Sequence, residues 1–236
     1  MELAIDTSTS IASLALSNNG ALIAEITWHA GQNHTVELIP NVIQILEKCK
    51  VNIHDVKAIM VAKGPGSFNG LRVGIATAKG LAFALGIPLV GISTLEVTAF
   101  PYAEVRLPIC PIINAGRGEI ATALFQAHNG DWKRLATEHI TTIDKLCSET
   151  VEQTIFCGEI NAEQSTHLKQ ELENKALIPK GSATLRRAGY LAELGWCKIE
   201  SGGFDDPSTL QPLYLRRPAI TIPKKAIVHR GAHRDR

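Results

Sequence analysis

Residues 63–86 read KGPGSFNGLRVGIATAKGLAFALG, a glycine-crowded loop running straight into a segment whose small and apolar residues recur with helical spacing. A phosphate loop of the form G-x-x-x-x-G-K-[ST] needs its second glycine five residues after the first and a lysine next to it, so that backbone N–H groups wrap the phosphates. Counting five from Gly64 reaches Asn69, and Gly70 is followed by Leu71 and Arg72, so that spacing fails. The dinucleotide spacing G-x-G-x-x-G fails too, because the residue three after Gly66 is Asn69. An anion at the helix N-terminus stays physically open, since free N–H groups there attract negative charge. The helix beyond the loop says more. Gly70, Gly74, Ala78, Ala82 and Gly86 recur at every fourth position, a stripe that lets another backbone approach closely. A glycine inside a helix costs roughly 1 kcal/mol relative to alanine, so a close contact must offset it. Two contacts qualify, the helix's own sheet or the surface of a partner protein.

Upstream, Glu2–Asp6 and Ile11–Ser17 read as short strands, the second with clear alternation, and Asn18-Asn19-Gly20 turns the chain into a third strand, Ala21–Trp28. From about Thr35 to Cys49 the period becomes helical, with apolar residues on more than one face and Pro40 complicating the first turns. Val56–Ala62, a helix to about Leu85, Pro88–Ile92 and a helix from about Thr94 follow, giving the order β-β-β-α-β-α-β-α. After Pro101 and Pro108 the pattern restarts with strands at Ile109–Ile113, Glu119–Gln126 and Trp132–Ile140, the last two joined by a turn at residues 128–131. A short helix at residues 144–149, a strand at 154–157 and a helix at 162–174 complete a shorter copy. Two tandem ribonuclease H-like lobes of the actin and sugar-kinase kind are therefore expected, an α/β fold whose second lobe is degenerate. The expected division is residues 1–106, 107–218 and a basic, disordered tail over 219–236.

At 236 residues, with 45% hydrophobic and 20% charged content, the composition is that of a folded globular chain. The formal net charge of +1 supplies no overall field for nucleic acid or an anionic membrane. The N-terminus MELAIDTSTS has neither signal nor transit character, and the longest nearly apolar run, residues 80–92, is about two thirds of the roughly 20 residues needed to span a bilayer and contains Pro88. Five cysteines with no C-x-x-C pair read as core thiols of a cytoplasmic protein.

Asp6, at the end of the first strand and followed by Thr7-Ser8-Thr9, is the one candidate for a nucleotide-metal contact. Its counterpart in the second lobe is Asn114, which carries no charge, so one jaw of a two-jawed nucleotide site is neutralised. Neither His29 with His34 nor His229 with His233 forms H-E-x-x-H, and no G-x-S-x-G elbow is present. No metal site and no cofactor are expected. The cations of the tail, among them Lys224, Lys225 and Arg230, read as a solvated terminus or a contact for RNA phosphates.

Three stretches together, LAIDTSTS, KGPGSFNGLRVGIATAKGLAFALGIPLVGISTLE and PLYLRR, resemble the TsaB family of tRNA threonylcarbamoyladenosine proteins, from Met1 to about Pro218. The wider family includes a catalytic relative, TsaD, in which the segment matching residues 93–98 reads like N-H-L-E-G-H and its two histidines hold the catalytic metal. Here those positions are Thr94 and Thr98, and a hydroxyl does not replace imidazole as a ligand for a transition metal. The resemblance thus implies a catalytically silent paralogue. It would support a TsaD-like subunit, with a TsaE-like ATPase, in adding threonylcarbamoyl to N6 of adenosine 37 in tRNAs reading ANN codons. It implies contact with tRNA only through the complex, and a homodimer when the partner is absent. The pairing would use the two helices of the first lobe, with Ile39, Val42, Ile43, Leu46, Gly70, Leu71, Gly74, Ile75, Ala78 and Ala82 at the interface. The chain departs from the family at Asn69, where GPGSFTG has threonine, and at residues 114–119, NAGRGE in place of D-A-R-x-G-E; both weaken any phosphate role there. A metallopeptidase and an independent actin-like ATPase are the competing expectations.

Overall fold

The computed structural model describes residues 1–128 and 130–216; Asn129 of the expected turn and the expected tail over 219–236 lie outside the described residues. The first lobe is built from β1 (Glu2–Asp6), β2 (Ile11–Asn18), β3 (Ala21–His29), α1 (His34–Cys49), β4 (Ala58–Ala62), α2 (Phe68–Leu85), β5 (Leu89–Ile92) and α3 (Thr94–Ala99). The second holds β6 (Ile109–Gly116), β7 (Glu119–His128), β8 (Asp131–Thr141), α4 (Ile143–Glu149), β9 (Thr154–Gly158), α5 (Ala162–Leu172) and the two-residue β10 (Ala176–Leu177). A further helix, α6 (Ala188–Glu200), follows.

Both sheets have the same topology, β3-β2-β1-β4-β5 in the first and β8-β7-β6-β9-β10 in the second. In each, three antiparallel strands adjoin two parallel ones, β1 with β4 and β6 with β9. That repetition makes the chain a pair of ribonuclease H-like lobes, and the two-residue β10 is where the second copy is most reduced.

Strand alternation sorts the first sheet into two cores. Leu3, Ile5, Leu14, Leu16, Ile59 and Val61 face α1 and α2, which lie side by side on that face. The interleaved Ala4, Ala15, Met60 and Val90 face α6, through Ala188, Leu191, Ala192 and Leu194. Small residues predominate on the α6 side because the helix comes close: a Cβ on Gly195 would stand 2.3 Å from Met60 Cγ.

The position of α6 corrects the expected division at 106/107. Residues 188–200 pack on the first sheet, and the segment behind them stays there: Asp205 bridges to Leu89, Leu210 joins the first core and the Leu213 N–H donates to the Lys63 carbonyl at 2.7 Å. The first lobe is therefore discontinuous, closed by chain that has already passed through the second.

The cysteines divide. Cys110 and Cys157 are buried, Cys49 and Cys147 partly so, and Cys197 is exposed, so the core-thiol expectation holds for only two. Burial pushes the Cys110 thiol up to about 12, against a side-chain hydrogen bond with Thr122 that pulls it down, and pushes Cys157 well above its ordinary value. Because the thiolate is the reactive form, iodoacetamide at pH 8 should label Cys197 in the native protein, and Cys110 and Cys157 only after denaturation. Peptide mapping by mass spectrometry checks this.

Candidate functional site

β1 ends at Asp6 and the hydroxyl turn carries the chain back into β2. Asp6 is 1% exposed, and a buried carboxylate must be paired or lose its charge. Its Oδ1 accepts from the Ser8 N–H at 2.9 Å and Ser8 Oγ at 2.6 Å. Its Oδ2 accepts from Arg186 Nε at 2.5 Å, and Arg186 Nη2 also donates to Thr9 Oγ1 at 2.8 Å. Arg186 stands just ahead of α6, on the connection returning from the second lobe. The acid that the sequence offers to a metal or phosphate is thus engaged by the protein's own guanidinium.

The glycine loop closes over the same turn. The Ser67 N–H donates to the Ser8 carbonyl at 2.7 Å and Thr7 Oγ1 donates to the Gly70 carbonyl at 2.8 Å. A Cβ on Gly66 would lie 2.1 Å from Ser8 O, one on Gly70 2.1 Å from Thr7 O, and one on Gly74 2.2 Å from Thr7 Oγ1. Glycine is required at these positions by the approach of two backbones of one chain.

Thr94 and Thr98 belong to the same clamp. Thr94 Oγ1 accepts from the Gly64 N–H at 3.1 Å, the Thr94 N–H donates to the Gly64 carbonyl at 2.9 Å, and Thr98 Oγ1 donates to the Thr94 carbonyl at 2.7 Å. Both hydroxyls are committed to the fold. Among the described residues no three His, Cys, Asp or Glu side chains converge as a metal centre. His34 is buried with Nε2 2.8 Å from the Thr9 carbonyl, tying α1 to the hydroxyl turn. Asn114 folds on itself, its Oδ1 accepting from the Gly116 N–H at 2.7 Å, and Arg216 pairs with Glu119 beside it.

These contacts correct the expected interface. Gly70, Leu71, Gly74, Ile75, Ala78 and Ala82 are buried under α2, and Val42 and Leu46 under α1. The stripe was legible but its partner is the chain's own sheet. Ile39 and Ile43 do reach solvent, at 44% and 50% exposure, alongside Val36 on the same face of α1. The outer face of α2 carries a second row of small residues, Ala76, Gly80 and Ala84, together with Phe83, which is 85% exposed. Sequence reading missed that row because Gly74–Ala78–Ala82 and Ala76–Gly80–Ala84 have the same period, and only the position of the sheet separates them. An apolar face spanning two adjacent helices marks an interaction site more often than chance exposure does.

The class is then defined: a two-lobed protein of actin-like architecture in which the acid ending the first strand is held by the chain's own arginine. A sequence profile described as TsaD, tRNA N6-adenosine threonylcarbamoyltransferase, matches residues 26–188. The TsaB protein of Bacillus subtilis, a tRNA threonylcarbamoyladenosine biosynthesis protein, is 33% identical over 217 residues, covering 91% of this chain and 93% of that one. The TsaB protein of Haemophilus influenzae is 39% identical over 225 residues, covering 91% and 92%. The solved structure of YeaZ from Pseudomonas aeruginosa superimposes with a TM-score of 0.77 at 24% identity, over 91% of this chain and 99% of that one, which speaks to the fold. The chain belongs to the TsaB family of tRNA threonylcarbamoyladenosine biosynthesis proteins.

Proposed function

We propose that this chain is the non-catalytic supporting subunit of a TsaD-like threonylcarbamoyltransferase, acting on adenosine 37 of tRNAs that read ANN codons. The observation that carries the reading is the exposed apolar face of α1 and α2, Val36, Ile39 and Ile43 beside Ala76, Gly80 and Phe83. The cleft argues in the same direction. Asp6 is held by Arg186, and Thr94 and Thr98 bond within the fold where the relative carries metal ligands. An independent ATPase would need Arg186 to leave a buried carboxylate, and a metallopeptidase would need ligands that the described residues do not bring together. In this reading a TsaE-like ATPase joins the pair, tRNA is met through the complex, and the isolated chain covers the same face by forming a homodimer.

Ile43→Glu and Phe83→Asp each place a carboxylate on that face without touching a core residue. Each should lower co-purification with the cognate TsaD-like subunit by about tenfold or more, since removing a buried anchor costs about 2 kcal/mol and each 1.4 kcal/mol is tenfold. The isolated chain should keep its secondary structure, and any fall in its thermal midpoint should be no more than the loss of the homodimer accounts for. Full retention of the partner by both variants rejects this face.

A further inference from the structure

The mouth of the cleft between the lobes carries an exposed aromatic pair. Phe68 opens α2 and Tyr214 lies on the segment that closes the first lobe; their rings stack at 5.2 Å with planes 28° apart. Both reach solvent, at 41% and 38% exposure. Arg72, one turn further along α2, places its guanidinium 5.2 Å from the centre of the Phe68 ring. Phe68 and Tyr214 also wall a cavity of about 270 Å³ whose other side is formed by Ile113, Asn114 and Ala121 of the second lobe. Adjacent rings left in water together, unlike a single exposed one, mark a surface that meets something.

The polar groups around the rings face solvent and are uncommitted. Arg72 is exposed, and its guanidinium makes no ion pair with and donates to no described residue. The same holds for Arg117, which stands with a φ of +59° at the tip of the β6–β7 hairpin, three residues beyond Asn114. Asn114 is exposed as well; its Oδ1 is used by the Gly116 N–H, while its Nδ2 donates to no described residue. Burial pushes the Tyr214 phenol up against the pull of the Arg72 charge, so its hydroxyl is a neutral donor at physiological pH. The two carboxylates beside these groups are engaged: Glu119 holds Arg216, and Glu159 accepts from the Asn114 N–H at 3.1 Å.

The charge of the chain is gathered at this same place. Arg216 lies in the cavity wall, and the residues that follow it in sequence, 217–236, hold six lysines and arginines against Asp235 alone. Since the whole chain has a formal net charge of only +1, residues 1–216 are net acidic. Exposed rings beside unpaired cations are the composition of a surface for single-stranded nucleic acid, where the rings take bases of any sequence and the cations take the backbone. A double helix could use the cations but has no unstacked base to offer the rings.

We propose that this mouth of the cleft binds a single-stranded segment of RNA. An unstacked base packs on the Phe68–Tyr214 pair, Asn114 Nδ2 and the Tyr214 hydroxyl donate to base or ribose, and Arg72, Arg117 and the cations beyond Arg216 meet the flanking phosphates. Which strand this is rests on the supporting-subunit reading, under which it is the tRNA loop around adenosine 37. Arg72 stands four residues before Ala76, at the head of the outer row of α2, so the strand runs along the border of the face offered to the TsaD-like subunit. Within the complex this chain thus contributes RNA contacts of its own.

The test measures the full chain at low salt by fluorescence anisotropy against a labelled stem–loop RNA and a fully paired RNA duplex of the same length. Saturable binding of the stem–loop, about fivefold or more tighter than of the duplex, is expected. Tyr214→Ala should weaken the stem–loop by about tenfold and leave the duplex unchanged. Arg117→Gln should weaken both and reduce the slope of log K against log salt by about 0.7–0.9. Both variants should keep native secondary structure and full capture of the TsaD-like subunit, so RNA binding can fail while the supporting-subunit reading stands. Ile43→Glu, which tests that reading, leaves the rings and cations in place. The proposal is overturned if the stem–loop shows no saturable binding, if it binds no tighter than the duplex, or if Tyr214→Ala leaves its binding unchanged. Loss of the TsaD-like subunit in Tyr214→Ala or Arg117→Gln, with RNA binding intact, would make this surface a protein contact and overturn it as well.

Discussion

Arg186→Ala should destabilise the chain by about 3–5 kcal/mol, the usual cost of removing one partner from a buried ion pair. The side chains of Arg186 and Asp6 are 8% and 2% exposed, so water does not replace the guanidinium when it is cut away. Ser8 continues to donate its N–H and hydroxyl to Oδ1, but Oδ2 is left as a buried anionic oxygen with no donor. The loss is larger than that of a surface pair, where about 0–1 kcal/mol is normal. The double variant Asp6→Asn with Arg186→Met removes both charges and keeps most of the volume, so it should regain most of the loss. Equilibrium urea denaturation of the three proteins checks this. A loss below about 1 kcal/mol in the single variant would mean that Asp6 is solvated in solution and the cleft is open.

Most of the fold was legible because the apolar pattern of each element has one clear period. β2 alternates, α2 repeats at four, the boundaries of β1, β3 and α1 fall within two residues of those expected from the sequence, and α2 ends at the expected Leu85. What failed was assignment across distance. The helix Ala188–Glu200 has ordinary helical spacing, and nothing in it says that it returns to the first sheet; that depends on the small Ala4, Ala15 and Gly195, which only spatial proximity connects. The site shows the same division. Asp6 was visible as a candidate nucleotide contact and Thr94 and Thr98 as threonines where the catalytic relative has histidines, but the bonds from Arg186 to Asp6 and from Gly64 to Thr94 join residues 180 and 30 apart in the chain. Of the four α1 residues expected at the interface, Ile39 and Ile43 reach solvent while Val42 and Leu46 are buried, because the excess of apolar residues on α1 does not say which of them the sheet covers. For α2, two rows of small residues with the same period give no sign of which one the sheet covers.

Gly70→Ala and Gly80→Ala make the same change ten residues apart on α2 and should have opposite signs. At Gly70 the new Cβ would stand 2.1 Å from the backbone oxygen of Thr7, in the turn that also holds Arg186. A backbone atom fixed by β1, Ser67 and the Arg186 contacts has nowhere to move, so the loss should reach about 3 kcal/mol, the upper end for overpacking. Gly74→Leu belongs to the same group, since its Cβ would meet Thr7 Oγ1 at 2.2 Å, and it should act on folding before it acts on any partner. At Gly80 nothing lies within 4 Å of the added carbon, so alanine should stabilise the free chain by about 0.4–1 kcal/mol by narrowing the unfolded ensemble. That a helix keeps glycine at an open position, against this gain, is what a close contact with another molecule would require. Gly80→Trp then separates folding from association: the monomer should keep its native secondary structure, with a midpoint lowered only by loss of the homodimer, while capture of the TsaD-like subunit is lost. If Gly80→Trp still binds the partner, then Ala76, Gly80 and Ala84 are outside the interface and the small row on the outer face of α2 has no part in it.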